Sequence, residues 1–506
     1  MPNFKHIERG LKFVPVDFTE QVMPGTFEHA LCHLIDNEVD LSPLRARFNN
    51  DRGGASAYDP AILLKIVLLG YSRGMVSSRQ MERACRDVVL FMAVAGDNQP
   101  HFTTIAHFVA TLGNTVATMF TEVLLVCERQ GLIGKELFAI DGVKLPSNAS
   151  KAKSGTRKDF LRQARKMEKA VKTMVAAHRE RDCKTDSDAT AREAARLEAL
   201  RAEAAKIRRW LKANPDERRS RKGKVRLSNR TDNDSAKMAT EKGVVQGYTG
   251  VVAVDSKAQI VVEAHAHGSG SEQDALLPAV DATTAWRASA TVICADAGYH
   301  SEENLAALSD RGIDAYICDN GYRQRDVRYA SQSLHRAKPD PLWDKRPVEK
   351  KRQLYVPADF QLAADGSHCV CPAGKRLYGS GRDSTVRGYR AMKFKGARRD
   401  CLQCPLRANC LRKPATTPVR QVAFFVGRRP GHYAHTAAMK DKIDSPEGRQ
   451  MIARRFATVE PVFGNLRHNK GLRRFTLRGR QKVDSQWKMF CLVHNIEKLA
   501  HHGYSG

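Results

Sequence analysis

A chain of 506 residues is too long for one simple core and predicts roughly two to four domains or large insertions. Its 84 Lys and Arg against 55 Asp and Glu leave a formal net charge of +29, which favours a polyanionic partner, nucleic acid ahead of an acidic membrane surface. No apolar run approaches the roughly 20 residues of a membrane span, and the opening MPNFKHIERGLKFVPVDF lacks the apolar core of a secretory signal, so a soluble intracellular protein is expected. Of the 12 cysteines, seven are scattered singly and five cluster between residues 369 and 410. In a reducing compartment such a cluster points to metal before disulfide.

From the N-terminus to about residue 130 the pattern is helical. DPAILLKIVLLGYSRG opens on Asp59 and Pro60, an N-cap followed by proline at the first helical position, and runs apolar to Gly70 and Gly74. SSRQMERACRDVVLFMAVAG follows, capped by Ser77 or Ser78 and stopped at Gly96. HFTTIAHFVATLGNTVATMFTEVLLVCERQG holds a further start at Thr103 or Thr104 and one or two more helices. Such a helical domain either binds DNA or only packs; the pattern leaves both open. KELFAIDGVKLPSNAS then changes character, with Leu137 to Ile140 a short apolar strand and Asp141 at its end.

From about 155 to 225 the chain is charged and helix-favouring. Phe160, Met167, Val171 and Met174, then Leu197, Leu200, Ala204, Ile207 and Leu211, recur at helical spacing on either side of CKTDSDAT. They predict an antiparallel helical hairpin ending in the basic RRSRKGKVR. It is either a solvated hairpin or a DNA-contacting arm, and the excess of Lys and Arg favours the arm. VVQGYTGVVAVDSKAQIVVEAHAHG reads as a strand hairpin with Asp255 as its turn residue. A helix capped by Ser271, the strand ATVICADAGYHS, a helix ending at Gly312 and the strand DAYICD follow, the last two strands parallel because a helix separates them. Residues 320 to 445 read as irregular, rich in Arg, Lys, Gly and Pro, and a final helical part begins near 446.

Asp141 and Asp296 each end an apolar strand, and Glu460 lies on a late helix. Hard Mg²⁺ or Mn²⁺ takes a few carboxylates and keeps its other positions for water and phosphate oxygens, and two such ions serve in-line phosphoryl transfer. Strand-end Asp is also a common turn former, so spacing alone leaves both readings open. Asp232, ahead of the hairpin, is a candidate auxiliary acid.

Taken together these segments resemble bacterial insertion-sequence transposases of the DDE superfamily. DPAILLKIVLLGYSRGMVSSRQMERACRDVVLFMAVAG with HFTTIAHF resembles their helical N-terminal domain. FAIDGVKL, ADAGYHSEENL and VEPVFGNLRHNKGLRRFTLRG resemble the segments of the three acids, and SNRTDNDSAKM with GYTGVVAVDSKAQIVVEA the stretch between the first two. The resemblance, from about residue 20 to 500, implies an α+β or α/β chain: a helical N-terminal domain, then a ribonuclease H-like mixed-sheet core interrupted by a helical hairpin and a Cys-rich basic insertion. The expected boundaries are 1–130 for the helical DNA-binding domain, 131–151 for the first core strand, 152–228 for the hairpin, 229–319 for the continued core, 320–445 for the Cys-rich insertion and 446–506 for the helical part with the third acid.

The resemblance assigns catalysis and two Mg²⁺ or Mn²⁺ ions to Asp141, Asp296 and Glu460. Related transposases carry a Tyr and an Arg before the third acid and a Lys seven residues after it. Here Met451 and Ile452 stand where the Tyr would, Arg454 or Arg455 supplies the Arg, and position 467 is Arg. Arg454, Arg455, Arg467 and Lys470 are expected to contact DNA, as are Tyr299 and His300 beside the second acid. The implied reaction is hydrolysis at the ends of an insertion sequence followed by attack of the freed 3′-hydroxyl on target DNA, by a homodimer on DNA in the bacterial cytosol at the nucleoid. The rival readings are a domesticated DNA-binding protein without activity and a nuclease of the same fold without strand transfer.

CVCPAGKRL and CLQCPLRANC supply Cys369, Cys371, Cys401, Cys404 and Cys410. Cys-x2-Cys followed by Pro is a knuckle turn for tetrahedral zinc, and related transposases show a similar pattern in this insertion. The preferred set is Cys371, Cys401, Cys404 and Cys410, with Cys369 a rival; reduced, unliganded thiols are the alternative.

Overall fold

The computed structural model describes residues 15–504 except 51–52, 54–55, 182–186, 221–222, 241–242, 330–353, 387–388 and 429–432. It divides into two compact units, Met1–Asp319 with Ser445–Gly506, and Asn320–Asp444. The architecture is α+β, a helical N-terminal region leading into a mixed-sheet core.

The N-terminal region holds α1 (Phe27–His33), α2 (Ser42–Arg45), α3 (Pro60–Ser72), α4 (Ser78–Asp87), α5 (Val89–Ala95), α6 (Phe102–Thr111) and α7 (Thr115–Arg129). Asp59 caps α3 by accepting from the Ala61 N–H at 2.8 Å. That helix is apolar on every side and is buried nearly all round, from Leu63 to Tyr71. Two details depart from expectation. The helix expected to run from Ser77 or Ser78 to Gly96 breaks at Val88, which is extended, and the cap of α6 is His101, whose ring accepts from the Thr103 N–H. Gly96 ends α5 in the left-handed region at φ 56°.

The core begins with β1 (Leu137–Pro146). The short β2 (Ser154–Gly155) leads into α8 (Arg157–Arg181) and α9 (Ser187–Ala213), and β3 (Ser228–Asn229) returns to pair with β2. Phe160, Ala164, Ile207 and Leu211 form the hairpin's own core. Then come β4 (Ala236–Thr240), β5 (Gly243–Asp255), β6 (Val261–His267), α10 (Leu276–Ala282), β7 (Val292–Ala295), α11 (Glu302–Asp310) and β8 (Ala315–Ile317). The sheet runs β8–β7–β1–β5. β1, β7 and β8 are parallel, β5 is antiparallel to β1, and β4 and β6 pair with successive parts of β5.

Asp141 does not end its strand. The parallel partner β7 stops at Ala295, opposite Ile140, while β1 continues to Pro146 against β5 alone.

The second unit contains β9 (Gln361–Leu362), β10 (His368–Val370), β11 (Arg376–Val386), β12 (Tyr389–Gly396), α12 (Arg398–Leu402), α13 (Arg407–Cys410), β13 (Gln421–Arg428) and α14 (Ala434–Asp444). Its strands form an antiparallel sheet in the order β13–β12–β11–β10–β9 over a core of Phe360, Cys369, Leu377, Phe394 and Val422. The stretch expected to be irregular therefore holds a five-stranded sheet among its described residues.

The chain returns to the first unit as α15 (Pro446–Gly464), which packs across β1, β5, β7 and β8, and closes with α16 (Arg480–His501). The edge strand β6 is capped by α16 side chains. Asn495 bonds both the N–H and the carbonyl of Val261 at 2.9 Å, and Asp484 accepts from the Ala266 N–H at 2.7 Å. A strand edge satisfied in this way cannot recruit a foreign strand. Trp487 lies flat against Gly250, where a Cβ would come within 2.8 Å of the indole, and Phe490 stacks on Tyr71 of α3 at 4.2 Å.

His494 joins α16 to the end of α15. Its ring lies between the Asn465 side-chain amide (3.1 Å) and the Gln259 carbonyl (2.9 Å), with Glu497, Lys470 and Lys498 nearby. Burial holds the imidazole down to about 4. The unfolded chain, with the usual value near 6.5, therefore binds a proton that the folded chain refuses. His494 should contribute stability above about pH 6.5 and lose it as pH falls toward 4. Thermal melts of His494→Gln should show a shallower acid loss than wild type between pH 7 and pH 5; identical slopes would count against this linkage.

Candidate functional site

Two aspartates stand side by side at the broken edge of the parallel pairing, with a glutamate in electrostatic reach. Ile140 pairs with Ala295, so Asp141 and Asp296 follow side by side on neighbouring strands, and the charge of Glu460 on α15 also reaches Asp141. Each Asp is anchored by a local amide: Asp141 Oδ1 accepts from the Gly142 N–H (2.7 Å) and Asp296 Oδ1 from the Gly298 N–H (2.8 Å). Asp141 and Asp296 are half-buried, whereas Glu460 is exposed. Burial pushes the Asp141 carboxyl up to about 7, and Asp296 and Glu460 push the same way, against Arg455 and the Gly142 N–H.

The structure separates the two candidate arginines. Arg455 is 1 % exposed and its Nη2 lies 2.6 Å from Asp141 Oδ2, whereas Arg454 is partly exposed and pairs with Glu136 at 3.1 Å. Arg455 thus pairs with the Asp141 carboxylate inside the unit. Lys470 is likewise buried and bound to Glu497 at 2.5 Å. Tyr299 is also fully buried, its hydroxyl above Gly142, where a Cβ would come within 3.0 Å, and without a hydrogen-bond partner. Burial, together with Asp141, Glu272 and Asp296, raises that hydroxyl well above its usual value. His300 is half-buried and its carbonyl accepts from the Gln273 side chain. Of the four candidate cations Arg467, on the π-helical turn Asn465–Asn469, is the broadly exposed one, and it pairs with no carboxylate among the described residues.

Sequence reasoning missed a fourth acid. Glu272 comes up against Gly298, where any Cβ would collide with its Oε2, and pairs with Lys144 at 2.8 Å. The run SEQD after Ser271 was legible only as a helix start, because nothing local shows that it folds back beside residue 298. Asp255 and Asp232 are structural. Asp255 accepts the N–H groups of Gly134, Lys135 and Lys257, and Asp232 accepts the Tyr248 hydroxyl.

In the second unit, Cys371, Cys401, Cys404 and Cys410 line one small cavity of about 30 Å³. The Cys371 sulfur accepts the Lys375 N–H at 3.4 Å, and Cys369 points instead into the apolar core. Burial raises the Cys410 thiol, Arg420 opposes this, and the other three sulfurs add to the rise. Among the described residues no group of three or more His, Cys, Asp or Glu already stands in a metal-holding arrangement.

Two transposase family models match the chain, one described as a transposase DDE domain over residues 370–500 and one as a transposase domain (DUF772) over residues 16–111. No curated protein matches it. The protein is a transposase. More narrowly, the two matches together support an insertion-sequence transposase of the DDE type. The first match contains Glu460 and the four clustered cysteines, while Asp141 and Asp296 lie between the two matched stretches. No single described helix is long and apolar enough to cross a membrane.

Removing one partner of a buried ion pair costs about 3–5 kcal/mol. Arg455→Met should fall at the low end near pH 6, where Asp141 can take a proton, and lose more stability by pH 8, where the unpaired carboxylate must ionise or stay protonated at growing cost. Urea unfolding at the two pH values checks this; a wild-type midpoint at both would remove Arg455 from its role.

Proposed function

We propose that the protein binds the ends of an insertion sequence, cleaves them in a metal-dependent reaction and joins the freed 3′ ends to target DNA. The observation that carries this reading is the side-by-side placement of Asp141 and Asp296 with Glu460 in electrostatic reach. The strand order, with β5 antiparallel and β1, β7 and β8 parallel, supports a ribonuclease H-like core.

The donor set suits a hard divalent cation. Four carboxylates, counting Glu272, face two cations, Arg455 and Lys144, so negative charge is left over for a bound cation. Asp141, Asp296 and Glu460 would hold Mg²⁺ or Mn²⁺, which would supply Lewis-acid stabilisation of the attacking and leaving oxygens. Arg455 balances Asp141 in the resting chain, and Lys144 holds Glu272 against the turn of Gly298. The rigid strands keep both aspartates in place, which is what positioning a phosphodiester in line requires. Water serves as the first nucleophile and the 3′-hydroxyl as the second, so no covalent protein–DNA link is needed. Arg467, exposed beyond α15, is the cation we assign to a DNA phosphate. A homodimer on DNA fits the need to pair two ends.

We further propose that Cys371, Cys401, Cys404 and Cys410 hold a structural zinc ion. Four soft thiols around a cavity of one-atom scale support it.

With DNA carrying the terminal repeats that flank the gene, Asp296→Asn and Asp141→Asn should each lower Mg²⁺-dependent cleavage by about 10²-fold or more, since outer-shell losses alone cost 10–100-fold. Cleavage by Asp296→Asn at the wild-type rate would refute the assignment, and cleavage without joined target DNA would leave a nuclease. Elemental analysis should find about one zinc per chain, retained in Cys369→Ala and lost in Cys404→Ser; retention in Cys404→Ser would refute the zinc site.

A further inference from the structure

The first unit carries a cleft of about 640 Å³ away from the carboxylates, between α3, α4 and α6 on one side and the segment 471–477 on the other. Two glycines weld its walls together. Gly74 and Gly471 both take left-handed backbone (φ 72° and 66°), and a Cβ on Gly471 would come within 3.1 Å of the Gly74 carbonyl. The cleft is basic, with Arg79, Arg473 and Arg474 in its lining and neither Asp nor Glu among its described lining residues. All three arginines are exposed. The Arg79 guanidinium lies over the Phe102 ring at 4.3 Å, which leaves a flat cationic platform backed by an aromatic ring.

The arginine segment is tied to the strand that carries Asp141. The Phe475 N–H donates to the Pro146 carbonyl (2.9 Å), Arg474 to the Ser147 carbonyl (3.1 Å) and Arg478 to the Asn148 carbonyl (2.6 Å). Pro146 stands five residues beyond Asp141 on β1, a run of about 17 Å, the length of roughly five stacked nucleotides. A cleft of this volume matches a molecule the size of a nucleotide.

We infer that this cleft is a DNA subsite for an unpaired part of the strand that leaves the carboxylates. Arg473 and Arg474 hold its phosphates, and a base stacks on Arg79 backed by Phe102. This rests on the reading that the protein acts on DNA. It adds that the substrate is held open there, about five nucleotides from the reacting phosphate, by the joint between the helical region and the core.

The test is fluorescence anisotropy on the full chain with labelled probes of about 20 nucleotides, one single-stranded and one the matching duplex. Arg473→Ala should weaken the single-stranded probe and reduce the slope of log affinity against log salt by about 0.7, the share of one phosphate contact. Phe102→Leu and Arg79→Ala should each weaken the same probe by at least about fivefold, the low end for loss of one stacked base, without changing that slope for Phe102→Leu. Duplex binding should stay at the wild-type level in all three. Wild-type affinity of folded variants for the single strand, or equal losses on both probes, would overturn the subsite while DNA binding by the wild type stands. A wild type that binds neither probe would overturn the DNA reading itself. Thermal melts confirm folding, and Arg473→Glu, a change at an exposed position, should lose single-strand binding more severely than Arg473→Ala.

Discussion

The buried ion pair between Arg455 and Asp141 is the constraint around which the first unit is arranged. A carboxylate in a half-dry setting beside two other acids is costly unless a cation meets it. Meeting it requires α15 to cross the sheet with Arg455 inward, and that same placement brings Glu460 into electrostatic reach of Asp141. The helix that neutralises the first acid is thus the helix that delivers the third. Pro461 lies directly after Glu460 and removes one helical donor there, and α15 gives way to the turn Asn465–Asn469 within a few residues.

What keeps α15 in register is its tie to α16. Asn465 bonds both His494 and Glu497, and Lys470 closes on Glu497. From there α16 reaches the whole unit: it caps the β6 edge through Asn495 and Asp484, seats Trp487 on Gly250 of β5 and stacks Phe490 on Tyr71 of the N-terminal region. The site is therefore braced by polar side chains buried among apolar ones, a network that stabilises only while each member finds its partner.

Features decided by a few neighbouring residues were legible in the sequence. Asp59 before Pro60, Gly96 after an apolar run and the helix between two strands all follow from local chemistry, and so did the two strand-associated aspartates. Whether a cation faces inward was not legible. Arg454 and Arg455 are adjacent and alike, and only the helix rotation of about 100° per residue sends one to Glu136 and the other to Asp141. The end of β1 was misjudged because the apolar run stops where the parallel neighbour stops, while the antiparallel pairing that continues to Pro146 tolerates Gly142 and Lys144. The sheet of the second unit was hidden because its strands carry Arg, Lys, Gly and Ser, and its core is assembled from residues as far apart as Phe360 and Val422. Glu272 is invisible for the same reason: its meaning depends on its closeness to Gly298, which is purely spatial.

The net charge of the chain, read first as a statement about a partner, is therefore divided. Arg455, Lys144 and Lys470 face inward to carboxylates, and Arg467 with the arginines of the cleft face outward. The inward cations fall short of the acids they meet, so the site retains negative charge that the protein does not itself cancel. Burial, helped by Asp296 and Glu460, holds the Asp141 carboxyl up to about 7 against Arg455. Arg455 is bound there through one end only, since its Nε has no hydrogen-bond partner, so the pair is a balance of charge more than a rigid clamp. A site left short of positive charge beside outward-facing arginines is complementary to a cation and a phosphate together, and less so to either alone.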